Sequence, residues 1–250
     1  MRVSLSALAI TSVSLWAASA VAGDPTGQEI LVKADTQLNA FKDGTFESKL
    51  VMKQSDGSAR EYGFTTFQKN PDKRLVRFTS PGDVKGMGVL IENAETMYVY
   101  LPGFQRIRRM GTHIRNQTFM GSDFGFDDMA TLSFASAFNA KLVGQTAEQY
   151  ELELMPKIKE IEYGKLKLWV NKDHFTMAKV EYYDTNGTKM KTQIRDQYKQ
   201  DSPEHWQPGR VAITDHRRND HTSEILFLSS KLNTNLSDDL FSQRSLIRGN

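Results

Sequence analysis

The histidines of this chain are the side chains that most readily suggest a metal site. The run His216-Arg217-Arg218-Asn219-Asp220-His221 holds two of them and an acid. Metal ligands must converge on one point, but Asn219-Asp220 is a turn signal, so we expect a hairpin tip with exposed side chains and no metal ion. The other histidines, His113, His174 and His205, are isolated, and the chain has neither a HExxH motif nor a cysteine.

Motifs for covalent or phosphate chemistry are not found in the sequence. There is no GxSxG nucleophile elbow and no glycine-rich phosphate loop followed by a basic residue. The carboxylate pairs Glu160/Glu162 and Asp238/Asp239 are local doublets in expected loops or helix starts. The sequence therefore predicts a protein that is not an enzyme and that carries no cofactor.

A cluster of arginines is the remaining polar candidate. Arg106-Ile107-Arg108-Arg109 lies on a predicted strand, and Arg115 lies in the loop beyond it. Alternation along a strand places Arg106 and Arg108 on one face and Arg109 on the other. These cations either form a solvated face or contact an anion. The anion would be a lipid headgroup at the mouth of a cavity or the acidic surface of a membrane partner.

The N-terminus has the features of a secretory signal. Arg2 precedes an uncharged, largely apolar run that ends at Trp16, and small residues follow up to Ala22. Because Ala20-Val21-Ala22 fits the small-x-small cleavage pattern, we predict that residues 1–22 are a signal peptide cleaved after Ala22. The run is too short to span a bilayer, and no cysteine is present to carry lipoprotein acyl chains. We therefore expect a soluble protein that works outside the cytoplasm and does not meet nucleic acid.

The rest of the chain, residues 23–250, is expected to form one domain. About 228 residues are enough for a buried core, which must supply the stability because the chain has no cysteine for disulfides. No linker, low-complexity tract or fixed repeat divides these residues. We expect this domain to be a monomer.

Hydrophobic periodicity predicts one helix followed by a strand-rich chain. Apolar residues at helical spacing indicate an amphipathic helix over 26–41, with Asp43-Gly44 as its stop. The period then changes to two, and turn signals separate the segments. The predicted strands are 45–52, 60–68, 73–79, 87–92, 96–101, 105–109, 141–143, 150–154, 165–170, 176–183, 189–198, 210–215 and 223–230. So many short antiparallel strands predict a mainly β fold with a large curved sheet or an open barrel.

One internal stretch, 116–138, breaks the alternation. Ser122-Asp123 offers a helix N-cap, and Asp127-Asp128 would lie in the first turn, where the helix dipole favours acid. We predict one or two short helices that cross an open face of the sheet as a lid over a concave apolar cavity. The side chains predicted to contact a hydrophobic ligand are Phe119, Met120, Phe124, Phe126, Met129, Leu132 and Phe134, together with Trp169.

Several short motifs, in this order, resemble the outer-membrane lipoprotein-sorting family, the relatives of the periplasmic lipoprotein carrier LolA. In the first half they are SPGDVKG at 80–86, MYVYLP at 97–102, RIRR at 106–109, FMGSDF at 119–124 and DDM at 127–129. In the second half they are WV at 169–170, YYDTNG at 182–187 and NLSDDLF at 235–241. The resemblance extends over essentially the whole mature chain.

The resemblance implies an open antiparallel β half-barrel whose hydrophobic cavity is covered by helices. It also implies a carrier that shuttles a lipid, or the acyl chains of a lipoprotein, through the periplasm. Relatives in this branch are associated with inner-membrane exporters of the resistance-nodulation-division (RND/MMPL) type, so such an exporter and an outer-membrane acceptor are the expected partners. The alternative is a periplasmic adaptor of the export complex that keeps the fold but fills the cavity. A dry cavity suits a lipid because each methylene held in water costs about 0.8 kcal/mol.

Overall fold

The computed structural model describes residues 24–53, 57–70, 73–93, 96–111, 118–126, 128, 133–157 and 161–248. The predicted signal peptide lies outside these residues, as do Arg115, Met129 and Leu132 of the predicted site. Within the described part of the chain, no helix combines the length and the apolarity needed to cross a membrane.

Strands make up most of the structure. Among the described residues, the helices with both ends defined are α1 (Gly27–Leu38), α2 (Phe134–Ala137) and α3 (Gln243–Arg248). The strands are β1 (Asp43–Lys53), β2 (Ala59–Lys69), β3 (Lys73–Ser80), β4 (Gly88–Asn93), β5 (Thr96–Leu101), β6 (Arg106–Met110), β7 (Phe138–Gln145), β8 (Gln149–Pro156), β9 (Lys165–Asn171), β10 (Met177–Tyr183), β11 (Lys189–Asp196), β12 (Lys199–Ser202), β13 (His205–Gln207), β14 (Arg210–Asp215) and β15 (His221–Leu232). Short 3-10 turns span Pro102–Phe104, Phe119–Gly121, His216–Arg218 and Asp238–Phe241.

Thirteen of these strands form one antiparallel sheet. Their order is β6-β5-β4-β3-β2-β1-β15-β14-β11-β10-β9-β8-β7, while β12 pairs with β13 separately. The two halves join where β1 pairs with β15, from Gly44 opposite Leu232 to Met52 opposite Ser223. The end strands β6 and β7 do not pair with each other in the described residues, so the sheet stays open. The prediction of a mainly β, open antiparallel half-barrel is confirmed.

Helix α1 forms where the periodicity predicts it, although it is shorter than 26–41. Thr26 and Glu29 form a capping box: the Thr26 hydroxyl accepts the N–H of Glu29 (3.2 Å), and the Glu29 carboxylate accepts the N–H of Thr26 (2.8 Å). Ile30 and Leu31 are fully buried against the half of the sheet that contains β8 to β10. The helix therefore covers one face of the sheet, which we call the inner face.

Asp43 begins β1 and does not act as a helix stop. Its carboxylate accepts backbone N–H groups from Thr234 (2.8 Å) and Asn235 (3.1 Å), which follow β15. These bonds turn the chain out of the sheet beside the β1–β15 pair. The prediction that a boundary lies at Asp43 was thus correct, but it did not include the bonds from Asp43 to the residues after β15.

The residues that follow β15 cover the outer face of β3 to β5. Phe241 and Leu246 pack there against Leu75, Leu90 and Tyr100. These three strands are consequently buried on both faces, which explains why apolar residues follow one another along them without alternation.

Candidate ligand cavity

A cavity of about 190 Å³ lies on the inner face of the sheet. Alternation turns every second side chain of the surrounding strands toward it. Its apolar wall is formed by Leu38, Phe41, Phe46, Leu50, Phe64, Val76, Phe78, Pro208, Val211, Ile225 and Phe227. This volume is below the roughly 300–1,000 Å³ of typical small-molecule sites. Only part of a long acyl chain would fit into it unless the covering segment moves.

The segment 118–126, which we call the crossing loop, covers part of this wall. Thr118 and Gly125 form a β-bridge, and the N–H of Phe119 donates to the carbonyl of Phe124 (2.7 Å). Phe119 and Phe124 line the cavity. The Phe119 ring packs on those of Phe78 and Phe126, with centroids 5.5 and 5.2 Å away. The loop therefore presents aromatic faces to the cavity.

The structure brings together four of the predicted ligand residues, all in the crossing loop. Phe126 is buried beside Phe119, and Met120 packs against the same apolar cluster, although neither lines the cavity. Their predicted contact with a ligand remains a prediction.

The crossing loop is fastened to the sheet by Asp123, which is fully buried. One carboxylate oxygen accepts from Arg218 Nη1 (2.9 Å). The other oxygen bonds to His221 Nδ1 (2.6 Å) and accepts from Ser223 Oγ (2.6 Å). The expected helix N-cap at Ser122-Asp123 is therefore wrong, because Asp123 faces β15 and the Ser122 hydroxyl donates to the Phe119 carbonyl (2.6 Å).

A buried ion pair holds the chain just beyond this loop. The Asp128 carboxylate accepts from Lys191 Nζ (3.2 Å), and both side chains are only 4% exposed. It also accepts the N–H of Gly125 (2.7 Å) and the hydroxyl of Tyr163 (3.1 Å). Burial, together with the charge of Asp128, raises the pKa of Tyr163 well above its ordinary value, so Tyr163 stays a donor. Asp128 thus links the crossing loop to β11.

Arg74 and Arg195 give the cavity a cationic end that the sequence analysis missed. Both line the cavity, as do Gln68 and Gln193. Arg74 donates to the side-chain oxygen of Gln68 from Nε (3.2 Å) and Nη2 (2.8 Å). A usable signal existed in the sequence: Arg74 shares its strand face with Val76 and Phe78, and an arginine on an apolar strand face is unusual.

Two predicted ligand residues lie away from the cavity. Phe134 begins α2 and is buried against Phe138, with the Arg195 guanidinium 5.8 Å from its ring centroid. Trp169 alternates with the buried Leu168 and therefore lies on the outer face of β9. There Lys179 Nζ sits 3.5 Å from the centroid of a Trp169 ring. An aromatic residue in a strand does not by itself reveal which face it occupies.

The arginine cluster lies on β6, an end strand of the sheet. Arg106, Arg108 and Arg109 are exposed, and none of them lines the cavity. Arg108 is opposite Val99 and therefore points to the inner face, whereas Arg109 is opposite Tyr98 and points outward. Strands β4 and β5 separate this cluster from β3, the nearest strand of the cavity wall.

The histidine run forms the predicted hairpin tip between β14 and β15. Its side chains are less exposed than expected: His221 is 20% exposed and holds Asp123, while His216 bonds to Asp220 (2.5 Å). Within the described residues no group of three or more His, Asp or Glu side chains is placed to hold a metal ion.

Several solved structures have this fold. An outer membrane lipoprotein-sorting protein domain from Vibrio parahaemolyticus is 25% identical, with a TM-score of 0.79 over 89% of this chain and 98% of that one. A DUF1329 family protein from Desulfovibrio piger is 24% identical (TM-score 0.81; 88% and 97% covered). A LolA superfamily protein from Nitrosomonas europaea is 21% identical (TM-score 0.75; 88% and 99%).

A family model whose description reads only "-like: Uncharacterized protein" matches residues 70–248, more than half of the chain. The chain belongs to this family and has the LolA-like fold. No curated protein matches the chain. The resemblance to the lipoprotein-sorting proteins is confirmed by the structural neighbours, and with it the half-barrel that the resemblance implies.

Proposed function

We propose that this LolA-like protein is a periplasmic carrier that holds a lipid, or the acyl chains of a lipoprotein, in the inner-face cavity. The LolA-like fold supports a carrier-type role in general. The observation that carries the proposal is the cavity itself, whose wall is mostly aromatic and aliphatic. An adaptor with a filled interior would not need such a space, so the cavity favours carriage over the scaffold alternative.

The proposal is tested by filling the cavity. Ile225 lines it, and we expect Ile225→Trp to abolish the co-purification of lipid by occupying the space with an indole. The matched control is Leu228→Trp on the same strand, because Leu228 is 64% exposed. Each protein is purified without detergent and extracted with organic solvent, and the extract is analysed by mass spectrometry. Lipid in neither the unsubstituted protein nor the control, with no binding of an added fatty acid, would refute carriage.

We further propose that the exposed end of β6 contacts anionic headgroups at a membrane surface during transfer to or from an RND-type exporter and an outer-membrane acceptor. Arg106, Arg108 and Arg109 are exposed there, next to Phe104, which is 72% exposed. Cations near an anionic surface contribute about 1 kcal/mol each. An exposed aromatic residue beside them can enter the interface.

Replacing all three arginines by glutamine is expected to weaken binding to phosphatidylglycerol vesicles by about 100-fold. The measurement is co-sedimentation at low salt. The control replaces Lys165, Lys167 and Lys179, which form ion pairs with Glu153, Glu151 and Glu181 on the other half of the sheet. Equal loss in both variants would indicate a general charge effect and contradict a contact at β6.

A further inference from the structure

The β12–β13 hairpin is a second cover of the cavity. It pairs separately from the large sheet, and Gln207 at its end and the adjoining Pro208 line the cavity beside Leu38 and Phe41. We propose that this hairpin is the gate of the cavity, which swings away from α1 to admit the cargo and closes behind it. This inference rests on the proposed carrier function and names the route by which cargo enters and leaves.

The hairpin has a hinge at its base. β11 ends at Asp196, and the next residue, Gln197, has a left-handed backbone (φ 55°) that turns the chain out of the large sheet. Gly209 lies opposite, where a Cβ atom would come within 2.8 Å of the Gln197 carbonyl oxygen. The Gly209 N–H donates to the carbonyl oxygens of Asp196 and Gln197, both at 3.1 Å. The chain thus enters and leaves the hairpin at one narrow point, and hinges are commonly a few residues at the ends of elements.

Side chains from three separate elements fasten the closed hairpin. Gln37 Nε2 of α1 donates to the Trp206 carbonyl (3.0 Å), and Ser230 Oγ of β15 donates to the Asp201 carboxylate (2.8 Å). The Trp206 ring stacks on that of His174, in the turn between β9 and β10, with centroids 4.1 Å apart. These contacts join the hairpin to α1, to β15 and to that turn, so all three release it when it swings.

The buried polar side chain of the hairpin has its partner within the hairpin. His205 is only 1% exposed, and its Nδ1 atom bonds to Asp201 Oδ1 (2.5 Å). His205 lies on β13 and Asp201 on β12, so this bond moves with the hairpin and need not break on opening. The His205 ring packs edge-on against Phe41, with centroids 5.1 Å apart. Opening therefore removes an aromatic contact from the cavity wall and keeps the hairpin's own pairing.

The crossing loop, which is the other cover, is fastened more firmly. Its Asp123 carboxylate is fully buried and has Arg218, His221 and Ser223 as partners. Lifting this loop would break the ion pair of Asp123 with Arg218. Within the described residues no ion pair joins the hairpin to the rest of the protein, because the bond between His205 and Asp201 is internal to it. Local opening occurs where few buried contacts must break, so the hairpin is the cover that opens.

The first experiment pins the hairpin. The chain has no cysteine, so His174→Cys/Trp206→Cys has a single pair of thiols, which a bis-methanethiosulfonate reagent with an ethylene spacer bridges and dithiothreitol frees. Uptake of the fluorescent probe N-phenyl-1-naphthylamine is followed by stopped flow. We expect the bridged protein to take up the probe about tenfold more slowly than the same protein after reduction. The control, Glu153→Cys/Lys167→Cys, joins opposite residues on the outer face of β8 and β9 and should show no difference.

The second experiment loosens the hairpin without altering the cavity wall. Gln37 does not line the cavity, and Gln37→Leu removes its bond to the Trp206 carbonyl with little change in side-chain volume. We expect uptake and release of the probe to accelerate together by about threefold, with the equilibrium affinity unchanged, because a gate alters both rates equally. Ser223→Ala, which loosens the crossing loop instead, should leave both rates unchanged.

The outcomes separate this inference from the proposed function. If the bridged and the reduced protein take up the probe at the same rate, the hairpin is not the gate although carriage stands. If Ser223→Ala accelerates uptake and Gln37→Leu does not, the crossing loop is the gate and the inference is wrong. If the unsubstituted protein binds neither the probe nor an added fatty acid, the carrier function itself fails. The bridged and reduced states are compared in one protein, so any loss of stability from the cysteine substitutions is common to both.

Discussion

Replacing Lys191 by methionine is expected to lower the free energy of unfolding by about 4 kcal/mol. Lys191 and Asp128 are both almost fully buried, with Nζ and the carboxylate oxygen 3.2 Å apart. Removing the lysine leaves the buried carboxylate without a cation, and the Tyr163 hydroxyl and one N–H group cannot compensate for its loss. Urea unfolding followed by circular dichroism measures the effect.

The matched control is Lys167→Met. Lys167 pairs with Glu151 at 3.1 Å, but both side chains are about a third exposed, so less than 1 kcal/mol should be lost. The double variant Asp128→Asn/Lys191→Met should regain much of the stability because no unpaired charge remains. A Lys191→Met protein as stable as the control would contradict the view that this ion pair holds the crossing loop.

Replacing Asp123 by alanine is the second change for which we expect a large effect, about 3 kcal/mol. The substitution removes the hydrogen bonds of the carboxylate with Arg218, His221 and Ser223. The bonds with Arg218 and His221 involve side chains that can carry a charge, and such bonds are stronger than neutral ones. The crossing loop then keeps its aromatic contacts, the bond from the Gly125 N–H to Asp128 and the bonds from Arg218 to the Gly121 and Ser122 carbonyls. We expect hydrogen exchange to accelerate at the amides of residues 119–125 well beyond the change in global stability.

Asp220→Ala is the control, because it removes another acid that bonds to a histidine of the hairpin between β14 and β15. Asp220 bonds to His216 but is 72% exposed, so its removal should cost less than 1 kcal/mol and leave exchange in the crossing loop unchanged. Equal behaviour of the two alanine variants would show that the hairpin, and not the bond to Asp123, positions the loop.

The fold could be predicted from local pattern because most strands have alternating residues and clear turns. The helix and the long strands follow this pattern closely. The β12–β13 hairpin and α3 could not be predicted: β12 is a short, polar strand, and α3 is fixed by Leu246 reaching into a cluster on the outer face of β3 to β5. Such elements depend on distant partners more than on their own sequence.

The candidate site was predictable only in part, because several of its residues are brought together from distant parts of the chain. The aromatic crossing loop stands out in the sequence because it interrupts the alternation. Arg74 and Arg195 do not, because they lie far apart in the chain and each resembles an ordinary strand arginine. Asp123 was mistaken for a local cap because its partners His221 and Ser223 lie about 100 residues later. Arg106, Arg108 and Arg109, which the sequence predicts as contacts for a headgroup or a partner, lie on β6 and do not line the cavity.

The pairing of β1 with β15 has a consequence for the order of events after synthesis. It joins residues from the two ends of the chain, Gly44 with Leu232, at the centre of the sheet. Contacts of such large sequence separation form slowly, since most of the loop-closure entropy is lost before they are made. β1 and β15 both contribute to the cavity wall, so the binding site is assembled only when nearly the whole chain has emerged. Under the proposed carrier function, cargo can therefore be loaded only after β15 has paired with β1.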